Sequence, residues 1–512
     1  MKNREIHQLL ETKGIDATTS LTILDRYNRG DLPPVPEVLP DFPGIDNNQV
    51  VDIENLPLLV MDHNQLRTLA LGLPENHLDA WLAGQPDPLE FTPQRYHEFG
   101  ILYLPLVTVG ILNGGMATSY CDTTRNKSAH PGIFASLEQY FFSNAPELMN
   151  LPKGLAPAYY NNNGEPGLNF LTLRIRNALL LVKEHRKFLE SLGISEMNDM
   201  ELLPIFPFFH MTSTANNDQL EQGLAQAFKR PEIRILAKEL GVRLEPWLTE
   251  IQPLLAAMTH KDDGKEKAIF TQAWGKHHTP LGLPGGHGQN FQTLEPIYRK
   301  LHSQGKKFAY LGNVDNLGSL PSPRAIAYLA LSQGNAAFDF SFKTPVDTKG
   351  GILIRTSDGK LNCADIGPAI SSESVLQAEK EGKPILFNCA TGLFQLDYLV
   401  ENLDRIKKNL PIRVSEQHKD GGKYSQAEQV TWEVIGLLHK PIILGVNKFK
   451  RFLAAKLLTD SLLTSGLLDE ALLPSKEEVE LTRNLTKGLE DLLQNQYAMV
   501  KKEGKWVAPE LS

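Results

Sequence analysis

Cysteine is scarce in this sequence, because Cys121, Cys363 and Cys389 are its only three cysteines and they lie far apart. Three scattered thiols are too few for a disulfide framework or for a cysteine-rich zinc site. Any metal ion is therefore expected on oxygen ligands.

Long apolar runs are also missing. The longest, such as YLPLVTVGIL, would cover about half of a membrane span. The first residues, MKNREIHQLLETKGID, contain no apolar signal core. We therefore expect a cytoplasmic protein with no membrane partner.

No block of five to eight lysines and arginines is present, and 52 basic against 60 acidic residues leave a net charge of -8. This balance disfavours nucleic acid and anionic membranes as partners. It leaves local phosphate binding open. The sequence does not predict an oligomeric state.

With 512 residues, 41% of them hydrophobic, the chain is long enough for roughly two to four domains. Apolar residues recur at helical spacing between proline-rich turns, which predicts a helical segment over residues 1–95. Residues 96–410 alternate apolar runs with amphipathic helices and are expected to form the central domain. Residues 411–512 add one strand, KPIILGVNKF, and are otherwise expected to be helical, with no repeats typical of a β-helix.

The alternation in residues 96–410 predicts an α/β fold. The runs ILYLPLVTVGIL, LLPIFPFFHM, KFAYLGNVDN, AAFDFSFKTP and KPILFNCA are strand-like and largely apolar, as in central strands buried on both faces. The stretch GGILIRTSDGKLNCADIG is predicted to form a hairpin that turns at Asp358 and Gly359. The sheet is therefore expected to be mixed and mostly parallel.

A glycine loop follows the first of these strands, in TVGILNGGMATSYCDTTRNK. Asn113, Gly114 and Gly115 would let backbone amides approach a ligand closely, as in phosphate-binding loops at the carboxyl edge of α/β sheets. Lys127 would add a positive charge. An ordinary strand-to-helix turn has the same local pattern, so this stretch alone does not decide between the two.

Further motifs follow in a fixed order: ILNGGMATSY, PFFHMTSTANND, IFTQ, LGLPGGHGQNF, YLGNVDNLGS, DTKGGILI, QAEQVTWEVI and KRFLAAKLLTDSLL. Together they resemble the motifs of the eukaryotic-type UTP-glucose-1-phosphate uridylyltransferases, over residues 100 to 463. GNVDNLG and PGGHG are the most specific. The resemblance implies a Rossmann-like nucleotide-diphospho-sugar transferase domain (GT-A-like), with UTP and a sugar 1-phosphate as substrates and Mg²⁺ as cofactor.

Uridylyl transfer passes through a highly charged transition state, which calls for a divalent cation, lysines and backbone donors. The resemblance assigns Asp315 as the magnesium ligand and a catalytic residue. It also assigns catalytic roles to Lys127 and Lys456. A solvated lysine on an amphipathic helix is the alternative for Lys456.

The resemblance also implies two sets of ligand-binding residues. The nucleotide is expected to contact Leu112, Asn113, Gly114, Gly115, Met211, Gln272, Gly286, His287 and Asn313. The sugar is expected to contact Asn316, Lys349, Gly350, Gly351, Asn388 and Glu428.

The sequence departs from the family pattern in the first loop, where Ala117 and Cys121 replace glycines, and at Gln289, which replaces an aspartate. FNCATGLF is also a poor match to the sugar motif. We therefore expect formation of UDP-glucose and pyrophosphate and keep two alternatives. One is the same reaction on N-acetylglucosamine or galactose 1-phosphate, and the other is a nucleotide-sugar binding protein without catalysis.

Overall fold

A computed structural model describes residues 3–39, 41–46, 49–70, 72–118, 120–129, 131–194, 207–261, 266–347, 350–419, 421–468, 470–473 and 475–509. The α-helices are α1 Asn3–Glu11, α2 Ala17–Arg29, α3 His63–Leu69, α4 Glu75–Leu82, α5 Pro93–Tyr103, α6 Thr123–Ala129, α7 Pro131–Leu148, α8 Phe170–Ser191, α9 Asn217–Lys229, α10 Pro231–Glu239, α11 Asn290–Thr293, α12 Glu295–Ser303, α13 Pro323–Ser332, α14 Ser372–Lys380, α15 Leu396–Asn409, α16 Lys448–Arg451, α17 Leu458–Thr464 and α18 Lys476–Asn495.

The strands are β1 Val50–Asp52, β2 Val60–Met61, β3 Leu89–Glu90, β4 Val107–Leu112, β5 Phe208–Ser213, β6 Leu248–Gln252, β7 Leu254–Ala256, β8 Met258–Thr259, β9 Gly282–Pro284, β10 Phe308–Asn313, β11 Ala336–Phe342, β12 Gly351–Arg355, β13 Leu361–Asp365, β14 Leu386–Gln395, β15 Arg413–Lys419, β16 Gly422–Glu428, β17 Pro441–Gly445, β18 Val500–Lys502 and β19 Lys505–Val507.

The central sheet has the order β1-β17-β11-β14-β10-β4-β5-β6, with β12 and β13 attached through β14. The pairs β1/β17, β11/β17, β10/β4, β4/β5 and β5/β6 are parallel, whereas β14 runs antiparallel to β10 and β11. Every residue of β4 and β5 is buried, as in central strands that are covered on both faces. The predicted mixed, mostly parallel α/β fold is confirmed.

The predicted hairpin is formed by β12 and β13, which pair antiparallel from Gly351/Asp365 to Arg355/Leu361. Gly359 in its turn has φ +81°, a conformation that favours glycine. The strand predicted from ILYLPLVTVGIL is shorter than its apolar run, because α5 continues to Tyr103 and β4 begins at Val107.

The sheet does not end at the predicted boundaries of residues 95 and 410. Its edge strand β1 comes from the amino-terminal segment, and β17 from the carboxyl-terminal segment lies between β1 and β11. The carboxyl-terminal segment is also less helical than expected, because β15/β16 and β18/β19 form antiparallel pairs there. In the described part of the chain, no helix is both long and apolar enough to cross a membrane.

Helices α5 and α13 pack against each other very closely at Gly100. A Cβ on Gly100 would lie 1.9 Å from the carbonyl oxygen of Pro323 at the start of α13. No side chain fits in that space, so the two helices meet backbone to backbone.

We expect Gly100→Ala to lower the free energy of unfolding by about 1–3 kcal/mol, because the added methyl group forces the helices apart. The usual preference of helices for alanine would act in the opposite direction. Urea denaturation measures the change. Gly84→Ala is the matched control, since a Cβ there meets nothing within 4 Å. Equal stability of the two variants would contradict the packing role of Gly100.

Candidate active site

Asp315 is the centre of the candidate site. It follows β10 by two residues, at the carboxyl edge of the parallel strands, and its side chain is only 7% exposed. Its main-chain oxygen accepts a hydrogen bond from Ala455 N at 3.0 Å. The carboxylate is therefore held in place by both its strand and the carboxyl-terminal segment.

Two lysines share one oxygen of this carboxylate. Lys153 Nζ lies 2.5 Å from Asp315 Oδ2, and Lys456 Nζ lies 3.3 Å from the same atom. Lys153 is 14% exposed and Lys456 is 52% exposed. The other carboxylate oxygen, Oδ1, is buried and has no hydrogen-bond partner within the described structure.

The neighbouring charges shift the pKa values of Asp315 and Lys153. Burial opposes the charged form of Asp315, but Lys153 and Lys456 outweigh it and hold the pKa of the carboxyl well below its usual range. Burial also lowers the pKa of Lys153, and the charge of Lys456 lowers it further. The site therefore holds one fixed negative charge with an excess of positive charge beside it, which is suited to a polyphosphate.

Lys153 reaches the site because its segment pairs with the glycine loop. Lys153 N donates to Gly115 O at 3.1 Å, and Ala117 N donates to Leu151 O at 2.9 Å. Helices α6 and α7 lie between these two stretches along the chain. Lys153 was not predicted from the sequence. The available signal was that Lys153 and Gly154 follow a proline, as in a tight turn.

Lys127, which was predicted to be catalytic, has other contacts. Its Nζ lies 3.5 Å from Glu138 and 5.4 Å from the ring centre of Phe134, and its side chain is 53% exposed. These contacts belong to α6 and α7, so the ion cluster at Asp315 contains Lys153 and Lys456 instead. Lys127 was the candidate in the sequence because it follows the glycine loop directly, whereas Lys153 follows the loop only after two helices.

The glycine loop lies next to the PGGHG turn. A Cβ on Gly115 would meet no atom within 4 Å, so its backbone faces open space. A Cβ on Gly114 would lie 3.3 Å from Gln252 Oε1. Leu112 and Met211 are paired neighbours on β4 and β5. The loop thus offers exposed backbone on one side and a glutamine on the other.

Asn113, between β4 and the glycine pair, is completely buried. Its main-chain oxygen accepts a hydrogen bond from Asn216 Nδ2 at 2.9 Å. A Cβ on Gly154 would lie 2.7 Å from Asn113 Oδ1, so the side chain points toward the segment that carries Lys153. The Asn113 side chain therefore packs beneath the loop, on the protein side.

Gln252, which was not predicted, lies between the glycine loop and the PGGHG turn. Its Nε2 donates to Gly286 O at 2.8 Å and to Gln289 Oε1 at 2.7 Å. Gln272 is exposed in a loop before Trp274. Gln252 joins the two predicted nucleotide loops because β6 ends between them, a relationship that depends on the sheet order. Gln289 fills the position of the expected aspartate and accepts from Gly285 N at 3.1 Å.

Gly286 has φ +79°, and a Cβ there would lie 2.3 Å from Gln429 O. A glycine is therefore required at this position, because its backbone contacts the chain that follows β16. The next residue, His287, accepts a hydrogen bond at Nδ1 from Thr431 N, at 3.1 Å. Neutral His287 therefore carries its proton on Nε2 and has a donor left for a ligand.

Asn313 and Asn316, on either side of Asp315, differ in availability. Asn316 is completely buried, and its amide donates to Cys389 O and Arg451 O, at 3.1 and 3.0 Å. Its side chain therefore supports the loop and is not presented to a sugar. Asn313, at the end of β10, is only half-buried, so its side chain can still face a ligand.

At the predicted sugar end, Gly351 and Asn388 are neighbours. A Cβ on Gly351 would lie 3.7 Å from Asn388 Cβ and 3.2 Å from Asp365 Oδ1. Asn388 Nδ2 is buried and has no partner among the described residues. Asp365 was not predicted, although it ends the hairpin strand opposite Gly351.

Two carboxylates share this end of the site. Burial raises the pKa of both Asp365 and Glu428, and the negative charge of Asp365 raises the pKa of Glu428 further. Gly350 precedes β12 with φ +145°. Lys349 lies outside the described residues, so its predicted role stays a prediction.

The residues present fit a magnesium ion, because Asp315 Oδ1 is a buried carboxylate oxygen without a partner in the described structure. Within the described ranges no group of three or more histidine, cysteine, aspartate or glutamate side chains is arranged to hold a metal. A single carboxylate oxygen suits an ion that keeps water and binds phosphate oxygens.

A buried carboxylate between two lysines, beside a glycine loop at the carboxyl edge of parallel strands, is an arrangement suited to phosphate groups in an α/β protein. Residues 263–500 match the family model described as UTP--glucose-1-phosphate uridylyltransferase. The resemblance to this family that the motifs predict is confirmed over those residues.

Individual relatives agree. The UTP--glucose-1-phosphate uridylyltransferase of Hordeum vulgare is 29% identical over 185 residues, which are 36% of this chain and 38% of that protein. That of Solanum tuberosum is 26% identical over 36% of this chain and 38% of that protein. The matched region thus spans about two fifths of the length of these relatives.

Solved structures show the same fold. The UDP-glucose pyrophosphorylase from Leishmania major has a TM-score of 0.56 at 16% identity, covering 90% of this chain and 78% of that chain. The UDP-glucose phosphorylase from Trypanosoma brucei has a TM-score of 0.53 at 16% identity, with the same coverage of both chains.

The pH dependence of stability tests the buried state of His287. Burial, reinforced by Lys456, lowers its pKa from 6.5 to about 4. Between these values the unfolded chain binds a proton that the folded chain does not, so stability falls as the pH falls. We expect His287→Gln to remove about 2 kcal/mol of that loss between pH 6.5 and roughly pH 4.5.

Urea denaturation at several pH values measures this effect. Burial lowers the pKa of His210 in the same direction, also to about 4, so some pH dependence remains in the variant. The exposed His277→Gln serves as the control. An unchanged slope in His287→Gln would contradict the assigned environment.

Proposed function

We propose that this protein transfers the uridylyl group of UTP to glucose 1-phosphate in a magnesium-dependent reaction and releases UDP-glucose and pyrophosphate. The observation that carries the proposal is the buried cluster of Asp315 with Lys153 and Lys456, placed beside the glycine loop. The family match over residues 263–500 supports the same reaction.

In this reaction a phosphate oxygen of glucose 1-phosphate bonds to the α-phosphorus of UTP. The bond from that phosphorus to the oxygen bridging to the β-phosphate breaks, and pyrophosphate leaves. Lys153 is attached to the glycine loop and is suited to the phosphates of UTP. Lys456 comes from the carboxyl-terminal segment and is suited to the attacking phosphate. Both ammonium groups would stabilise the developing negative charge.

Asp315 would hold Mg²⁺ through Oδ1, and the bound ion would neutralise charge on the phosphate oxygens. The carboxylate also holds the two lysine side chains near one point. Backbone amides of the loop around Gly115 would orient the nucleotide, with Gln252 beside them. His287 would donate from Nε2 to a phosphate oxygen.

The altered first loop gives no support to a protein that binds nucleotide sugars without catalysis. Neither Ala117 nor Cys121 has a positive φ, so replacing glycine at these positions costs no backbone strain. Both side chains are buried in the core. The loop is thus compatible with a working site.

The sugar end supports a neutral hexose. Asp365 and Glu428 offer acceptors for hydroxyl groups, and Asn388 Nδ2 is a donor without a partner in the described structure. This arrangement does not separate glucose from galactose or N-acetylglucosamine, so a substrate panel belongs in the test.

The direct test is pyrophosphate release from UTP with each sugar 1-phosphate. We expect release with glucose 1-phosphate and Mg²⁺, and loss of release when EDTA removes the metal, because the two lysines alone cannot neutralise the phosphates. Faster release with another sugar would correct the substrate. No release with any sugar, despite UDP-glucose binding in calorimetry, would favour a binding protein.

Three lysine variants test which lysines contribute to catalysis. We expect Lys153→Ala and Lys456→Ala each to lower kcat/KM by about 10²–10³, the effect of losing one aimed positive charge. Lys127→Ala is the control and should change kcat/KM little, since its charge faces Glu138. A large loss in Lys127→Ala together with a normal Lys153→Ala would reverse the assignment. Steady-state kinetics at saturating UTP measure these effects.

A further inference from the structure

Tyr120 is buried between the two lysine-bearing segments, with 1% of its surface exposed. It lies five residues after Gly115, in the chain segment between the glycine loop and Lys153. None of the motifs that resemble the uridylyltransferases gives this residue a role. Its contacts nevertheless reach Lys153 itself and the helix that begins two residues after Lys456.

The ring of Tyr120 faces Lys153. The distance from Lys153 Nζ to the ring centre is 5.7 Å, within the range of a cation–π interaction. Burial and Lys456 both disfavour the charge on Lys153. An aromatic ring can support a buried ammonium group without adding a second carboxylate that would compete with Asp315.

The polar atoms of Tyr120 hold the segment after Lys456. Its main-chain oxygen accepts from Leu458 N at 3.0 Å, and its hydroxyl donates to Ser461 Oγ at 2.7 Å. Leu458 and Ser461 belong to α17, which begins two residues after Lys456. Tyr120 therefore fixes the start of the helix that directly follows this lysine.

Asn126 completes this connection. It is fully buried, and its Nδ2 donates to Tyr120 O at 2.9 Å. Its Oδ1 accepts from Thr459 N at 3.0 Å and from Thr459 Oγ1 at 2.7 Å. The amide thus ties Tyr120 to α17 a second time, which makes the connection stiff.

We propose that Tyr120 is a positioning residue that sets Lys153 and Lys456 against Asp315 together. The ring acts on Lys153, and the hydroxyl and main-chain oxygen act on the Lys456 segment. Its kinetic consequence rests on the proposed uridylyl transfer. Its structural consequence does not, because the placement of the lysines can be observed without turnover.

The kinetic test compares three variants. Tyr120→Leu removes the ring and the hydroxyl, and we expect kcat to fall by about 10²-fold, as for small displacements of catalytic groups, with little change in UTP affinity. Tyr120→Phe keeps the ring over Lys153 and should recover most of kcat. Tyr103→Leu is the control for losing a buried tyrosine, since the contacts described for Tyr103 do not include either lysine.

A double-mutant cycle with Lys153 separates positioning from general damage. If the ring acts through Lys153, Tyr120→Leu should lower kcat clearly less in a Lys153→Ala background than in the wild type, and the loss that remains reflects the Lys456 segment. A full, independent loss in that background would overturn the proposal. So would a normal kcat in Tyr120→Leu.

Crystal structures of the wild type and Tyr120→Leu provide the arm that is independent of activity. We expect the 2.5 Å contact from Lys153 Nζ to Asp315 Oδ2 in the wild type and its loss in the variant. An unchanged contact would overturn the proposal. Should the wild type prove inactive with every sugar phosphate, the proposed function fails, while this structural comparison still decides the role of Tyr120. Should Tyr120→Leu not fold, the same comparison on Tyr120→Met decides it.

Discussion

The attraction between the buried carboxylate of Asp315 and two ammonium groups is the interaction on which the rest of the site depends. A carboxylate at this depth is costly unless it is paired, and two lysines in close proximity are costly unless a negative charge lies between them. The buried Asp315 and Lys153 therefore require each other, and the half-exposed Lys456 adds a second positive charge to the pair. Since Lys153 and Lys456 come from widely separated parts of the chain, the ion cluster also joins those parts across the sheet.

Hydrogen bonds and an ion pair hold the chain around Asp315 in place. Arg174 on α8 donates to Asn313 O at 3.3 Å, and Leu317 N donates to Leu453 O at 3.1 Å. Arg451 pairs with Asp339 on β11 at 2.6 Å, inside the protein. These bonds hold the loop after β10 between the sheet and the carboxyl-terminal segment, so the lysines approach a carboxylate that has little freedom to move.

Sequence patterns were sufficient for the parts of the protein that depend on local chemistry. Buried runs predicted β4, β10 and β11, and a strand end predicted the position of Asp315. The contributions of Lys153 and Gln252 could not be predicted in the same way. Lys153 returns to the glycine loop only after α6 and α7, and Gln252 reaches it through the order β4-β5-β6. Lys127 was the sequence candidate because it follows the glycine loop along the chain, and Gln272 because its motif IFTQ resembles a family motif.

A crystal structure with UDP-glucose tests the central claim most directly. We expect the uracil between the backbone at Gly115 and the side chain of Gln252, and the diphosphate within hydrogen-bond distance of Lys153 and Lys456. A diphosphate bound to Lys127 with Lys153 still paired to Asp315 alone, or a nucleotide bound away from the glycine loop, would contradict this arrangement.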